Sequence, residues 1–104
     1  MRYVLLIYGG EASTVAGLRA ELAASGELVG GDWLAGPDRT RTVRVRGGVT
    51  EATGGPYVDT GAPLAGYLVV DCATPERAAG IAARVPGCAG VEVRPAGSPE
   101  DVLP

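Results

Sequence analysis

Two segments of this chain, Arg2–Tyr8 (RYVLLIY) and Leu64–Cys72 (LAGYLVVDC), are β-rich and apolar on both alternating faces. That is the pattern of strands covered on both sides of their sheet. The helices available to cover them are few. Ser13 or Thr14 offers an N-cap hydroxyl, and Val15, Leu18 and Leu22 recur at i, i+3 and i+7 up to Gly26, a natural residue to follow a helix. Thr74-Pro75-Glu76 starts a second helix with a cap hydroxyl, Pro at the first position and an acid near the positive end. Its stripe is Ala78, Ile81, Ala82 and Val85, and Pro86-Gly87 stops it. Two helices with one apolar stripe each cover one face of a sheet. Apolar surface as extensive as the second face is unusual on a monomer, and a second copy of the chain is the simplest cover.

The remaining elements are shorter. Leu28–Leu34 reads as a strand weakened by Gly30 and Gly31, ending in the turn Gly36-Pro37-Asp38. Arg41–Arg46 alternates, with Val43 and Val45 on one side and Thr42, Arg44 and Arg46 on the other. Gly47-Gly48 marks a two-residue hairpin, and Val49–Thr53 is the return strand. A loop rich in Gly and Pro runs from Gly54 to Pro63, and Gly90–Arg94 is a final strand. The order β-α-β-(hairpin)-β-α-β predicts a ferredoxin-like α+β fold, a β-α-β-β-β-α-β sandwich with an extra hairpin, that dimerises through its open sheet face.

Composition narrows the chemistry. At 104 residues, with 46% hydrophobic and 20% charged residues, the chain has room for one globular domain. It has no His, which removes the commonest general base and metal ligand, and all nine cations are Arg, which removes Schiff-base and P-loop lysines. Cys72 and Cys88 lack metal-site spacing, so no metal site is expected, and in a cytoplasmic protein both are expected to be reduced and buried. A net charge of −3 gives no reason to expect nucleic acid as a partner. The longest apolar run, Tyr3–Tyr8, is too short to span a bilayer, so no membrane association is expected. No signal-peptide pattern precedes it, and a cytoplasmic location is expected.

The segments MRYVLLIYGGE, GELVGGDWLAGP, TVRVRGGVTEATGGPYVDT and GYLVVDCATPERAAGIAARVP resemble, in order, the YCII-related proteins of the DGPF subgroup. The resemblance covers residues 1–95 as one domain and leaves 96–104 as a C-terminal tail. The subgroup's name-giving motif falls on Gly54-Gly55-Pro56-Tyr57, with Asp59 where the family usually has Glu. Gly54 stands for the motif's acidic residue, Tyr57 for its Phe, and Gly61-Ala62 for the Lys-Glu pair usual after it. The resemblance implies a dimeric α/β barrel. The His-Asp pair proposed as catalytic in the wider group has no counterpart in a chain without His. Some members look like lyases or dehydrohalogenases acting on small aromatic compounds.

Candidate site residues follow, each with two readings. Asp71 lies on the same strand face as Tyr67 and Val69; lining a cavity it is a base of raised pKa, and at the strand end it is exposed or bonded to nearby backbone. Asp59 and Tyr57, in the motif loop, either reach over a pocket mouth as acid–base group and hydrogen-bond donor or serve the loop's own structure. Asp32 and Trp33 follow a Gly-Gly pair, where Trp33 is a pocket wall or a core or interface residue; alternation sends the two side chains to opposite faces. Tyr8 and Tyr67 complete the pocket candidates. The cluster Arg39, Arg41, Arg44 and Arg46 reads as a solvated face paired with Glu51, or as an anion site.

Three functions stay open: a cofactor-free domain binding a small organic molecule between sheet and helices, with lyase or isomerase chemistry through Asp71, Asp59 and a Tyr; a non-catalytic ligand- or protein-binding module; or a cofactor-independent monooxygenase or polyketide cyclase.

Overall fold

A computed structural model describes residues 1–58 and 60–97. The chain runs β1 (Arg2–Tyr8), α1 (Ala12–Ser25), β2 (Leu28–Trp33), a 3-10 turn (Pro37–Arg39), β3 (Arg41–Arg46), β4 (Val49–Gly54), β5 (Leu64–Asp71), α2 (Pro75–Ala82) and β6 (Gly90–Pro95). The main sheet has the order β2-β5-β1-β6 with every neighbouring pair antiparallel. This α+β arrangement is compatible with the ferredoxin-like fold expected from the element order. β3 and β4 form a separate two-stranded sheet.

The two-sided strands sit in the centre, as their patterning requires. Tyr3, Leu5 and Ile7 of β1 and Leu68 and Val70 of β5 are buried under the helices, against Val15, Leu18 and Leu22 of α1 and Ala78 and Ile81 of α2. The alternate positions, Val4, Leu6 and Tyr8 of β1 and Ala65, Tyr67 and Val69 of β5, are partly exposed on the opposite face. The choice within each adjacent pair, which alternation alone leaves open, is thus Leu5 and Leu68 inward, Val4 and Val69 outward. Polar residues flank that open apolar stripe: Asp32 stands beside Tyr67, and Glu92 and Arg94 stand beside Leu6 and Val4.

The termini of the elements show where local chemistry decides. α1 starts earlier than its Ser and Thr suggest, with Glu11 as N-cap and no side-chain cap bond; the Thr14 hydroxyl instead donates to the Glu11 carbonyl at 2.7 Å. Gly26 ends the helix at φ +81°. In α2 the Thr74 hydroxyl accepts from the Arg77 N–H at 3.1 Å, the expected cap. α2 stops at Ala82, short of Val85, because Arg84 and Val85 donate to carbonyls three residues back in tightened turns. Pro86 disfavours the α conformation for the residue before it. Val85 is still buried.

The hairpin turns at Gly47-Gly48 with φ of +56° and +79°, the positive values a two-residue turn needs. Its alternation holds, but the buried position is Thr42, while Val43, Val45 and Val49 are 61%, 66% and 59% exposed. The hairpin stands off the main sheet, and the radius of gyration, 15.6 Å, exceeds the ~13 Å usual for a chain of this length.

Candidate functional site

A cleft of about 1010 Å³ opens where the Tyr8 end of the main sheet meets the base of the hairpin. Four segments build it: the end of β1 at Tyr8, the stretch from Leu34 to Val43, the loop carrying Pro56, Tyr57, Val58 and Thr60, and Pro63-Leu64 at the start of β5. Backbone bonds hold these segments together. Gly9 donates to the Pro63 carbonyl, Leu34 to Ala65 and Gly55 to Thr40, each at 2.8 Å. The buried Thr42 hydroxyl donates to the Gly55 carbonyl at 2.8 Å, tying the start of β3 to the loop that presents Tyr57. Tyr57 is 72% exposed, and the Arg44 guanidinium sits over its ring, 4.9 Å from the centroid. Register also sets Arg44 opposite Glu51.

Of the candidate residues, the structure brings Tyr8 and Tyr57 together on this cleft. The Tyr8 hydroxyl donates to Glu92 Oε1 at 3.3 Å. Trp33 lies on the helix side, packed against the core, with its ring over Gly66, where an added Cβ would stand 2.7 Å from Trp33 Cε3. Asp32 points the other way, beside Tyr67. These two and Trp33 border a second hollow of only about 60 Å³, room for about two waters and too small for an organic ligand.

Asp71 is exposed at the end of β5 opposite Arg2, and its Oδ1 accepts from the N-terminal ammonium at 3.0 Å. Seven residue steps along the strand separate it from Leu64 at the cleft, about 23 Å. Within one chain it does not share the cleft with Tyr57. Asp59 lies outside the described residues. Arg39, Arg41 and Thr42 all line the cleft, and the candidate pocket omitted them. The available signal was the Arg-x-Arg spacing straight after a Gly-Pro-Asp turn, in a cluster also readable as a solvated face.

Electrostatic pairing is concentrated elsewhere. Arg77 donates Nε and an Nη to Glu27 at 2.9 and 2.7 Å, which, with the Ser25 hydroxyl, holds the Glu27 carboxyl down to about 2. Burial pushes the Tyr3 phenol up, with Cys72 and Glu76 adding to it. Cys72 and Cys88 are free thiols; Cys72 is buried as expected, whereas Cys88, in the loop after α2, packs against the core and is only partly buried. Among the described residues no cluster of His, Cys, Asp or Glu could hold a metal ion, and no helix is long and apolar enough to cross a membrane.

Fold and cleft together define an α+β domain of ferredoxin-like order carrying an inserted hairpin, with its concave surface at the hairpin's base. Residues 1–96 match the YCII-related domain. The chain belongs to that family, as the resemblance of its segments implied. No curated protein matches it.

Proposed function

We propose that this chain is a homodimeric domain that binds a small organic molecule in the cleft at the base of its hairpin. The cleft carries the reading. Its size, about 1010 Å³, suits a small ligand, and Leu34, Val43, Tyr57 and Leu64 give it apolar walls with a few polar groups between them. Binding is favoured over turnover, because Tyr8 and Tyr57 are the only titratable groups besides arginine among the described lining residues. A lyase or isomerase acting here needs a proton donor or acceptor near neutral pKa, and Asp71 stands at the far end of the strand.

A second copy as partner is supported by two separate apolar surfaces. The open sheet face presents Val4, Leu6, Tyr67 and Val69 with a polar border, the make-up of an interface core and rim. The hairpin presents Val43 and Val45, and a two-stranded hairpin is marginal in water until something packs on it. A standard interface takes about 800 Å² from each partner, a modest share of the 6771 Å² surface here. Closing two open faces on each other makes a dimeric α/β barrel. A cytoplasmic setting completes the reading, in keeping with a sequence of only two cysteines without a paired spacing.

Amide chemical shifts in a titration with 2-naphthol and 2-naphthoate test the binding reading. Shifts are expected at Thr40–Val43, Gly55 and Tyr57, and Tyr57→Ala is expected to weaken them about fivefold or more by removing an aromatic wall. No response at these amides with either compound refutes the reading.

A further inference from the structure

We infer that the molecule held in the cleft is an organic carboxylate, an anionic head on an apolar body; this rests on the cleft being a binding site. Arg39 and Arg41 are the only charged side chains among its described lining residues. The ion pairs among the described residues use the N-terminus, Arg77, Arg84 and Arg94 as their cations, and none of these pairs takes Arg39 or Arg41.

Backbone geometry fixes where the two arginines start. Arg39 closes the 3-10 turn, its N–H donating to the Gly36 carbonyl at 3.0 Å. Arg41 opens β3, and Thr40 between them donates to Pro37 at 3.1 Å and accepts from Gly55 at 2.8 Å. Two like charges one residue apart repel, and a carboxylate shared between them removes that repulsion. The guanidinium fork is planar, charged at all relevant pH and matched to a carboxylate by paired N–H bonds. The field is local: the chain carries −3 overall, yet positions 34–46 hold four arginines against one acid, Asp38. Beyond the arginines the walls are Leu34, Val43, Tyr57 and Leu64, which suit an apolar body of ring size.

2-Naphthoate and 2-naphthamide share that body and differ in charge, so calorimetry of both against the full chain separates head from body. In about 50 mM NaCl the carboxylate is expected to bind at least about tenfold more tightly than the amide. The double variant Arg39→Gln/Arg41→Gln is expected to lose that advantage with amide affinity unchanged. Arg46→Gln, at the hairpin tip, is expected to keep it. Raising NaCl to about 300 mM should weaken the carboxylate and leave the amide alone, a readout on the native chain that needs no variant to fold. Equal binding of the two compounds overturns the carboxylate assignment and leaves the cleft a binding site. Binding of neither overturns both. A carboxylate advantage that survives the double variant, or that ignores salt, overturns the role given to Arg39 and Arg41.

Discussion

Val69→Asp places a carboxylate on the open sheet face, beside Val4 on β1, and separates a dimer from a monomer more sharply than any change in the core. In the isolated chain Val69 is partly exposed, so the new carboxylate keeps its water and costs the protomer about 1 kcal/mol in strand preference. In the proposed dimer the same position is central. Each copy then loses about 1 kcal/mol of apolar burial and adds a few kcal/mol for a carboxylate without a partner. A two-fold interface presents the substitution twice, so the dimer is weakened by about 7 kcal/mol, a factor of about 10⁵ in dissociation constant. A nanomolar dimer becomes a sub-millimolar one. Sedimentation velocity at about 5 μM should therefore find the native chain near twice its 10.5 kDa mass and the variant near 10.5 kDa. Far-ultraviolet circular dichroism should be unchanged between them. Val70→Asp, one residue on and fully buried, should instead unfold the chain. A native chain that sediments at 10.5 kDa, or a Val69→Asp variant that remains dimeric, refutes the reasoning.

Three other perturbations follow from the geometry. Glu27→Gln breaks the bond that lowers the Glu27 carboxyl from 4.5 to about 2; because the folded value is the lower one, the stabilisation is full above about 4.5 and fades as pH falls toward 2. Thermal melts should show the variant less stable than the native chain at pH 7 and equal to it near pH 2. Gly31→Ala forces a Cβ onto the Tyr67 carbonyl and within 2.8 Å of Leu68 Cα at a φ of +136°, so urea unfolding should report a loss of about 3 kcal/mol or more as β2 is pushed from β5. Thr42→Val removes the hydroxyl bond to Gly55 and should cost about 1 kcal/mol in urea unfolding while broadening the amide signals of Gly55 and Tyr57.

The strands whose two faces carry the same instruction could be read directly. Arg2–Tyr8 and Leu64–Asp71 occupy the centre of the sheet because no edge position satisfies a run apolar on both sides. Gly26, Thr74 and Gly47-Gly48 ended or began elements as read, since each acts through its own backbone or through a neighbour three residues away. The start of α1 was hidden, because Glu11 caps it with backbone conformation and no side-chain bond. The partner of Asp71 was hidden for a different reason. Its ion pair with Met1 spans 70 residues of sequence and depends on the β1–β5 register that sets Asp71 opposite Arg2. The cleft was the least legible feature, being assembled from four segments that meet through register and loop bonds, including an irregular step in the β1–β5 pairing between Ile7 and Tyr8. Valine placement in the hairpin could not predict which side of it would be buried, because the hairpin packs little against its own chain.

The position of the cleft follows from what the rest of the sheet is already occupied with. One face is filled by α1 and α2, and the Trp33 ring lies over Gly66 at its edge, leaving a hollow of only about 60 Å³ there. The other face is the apolar stripe for which a second copy is proposed. What remains is the end of the sheet, and the hairpin inserted between β2 and β5 supplies walls at that end. Tyr8 belongs to both regions: it is the last open-face residue of β1 and also lines the cleft. Under the proposed dimer, packing on the open face fixes the ring that a ligand meets, so assembly and binding are linked through one side chain. Linkage is reciprocal. A ligand that tightens the dimer and a dimer that tightens the ligand are one free energy, and Val69→Asp, placed well along the strand from the cleft, should weaken ligand binding only if that coupling through Tyr8 exists.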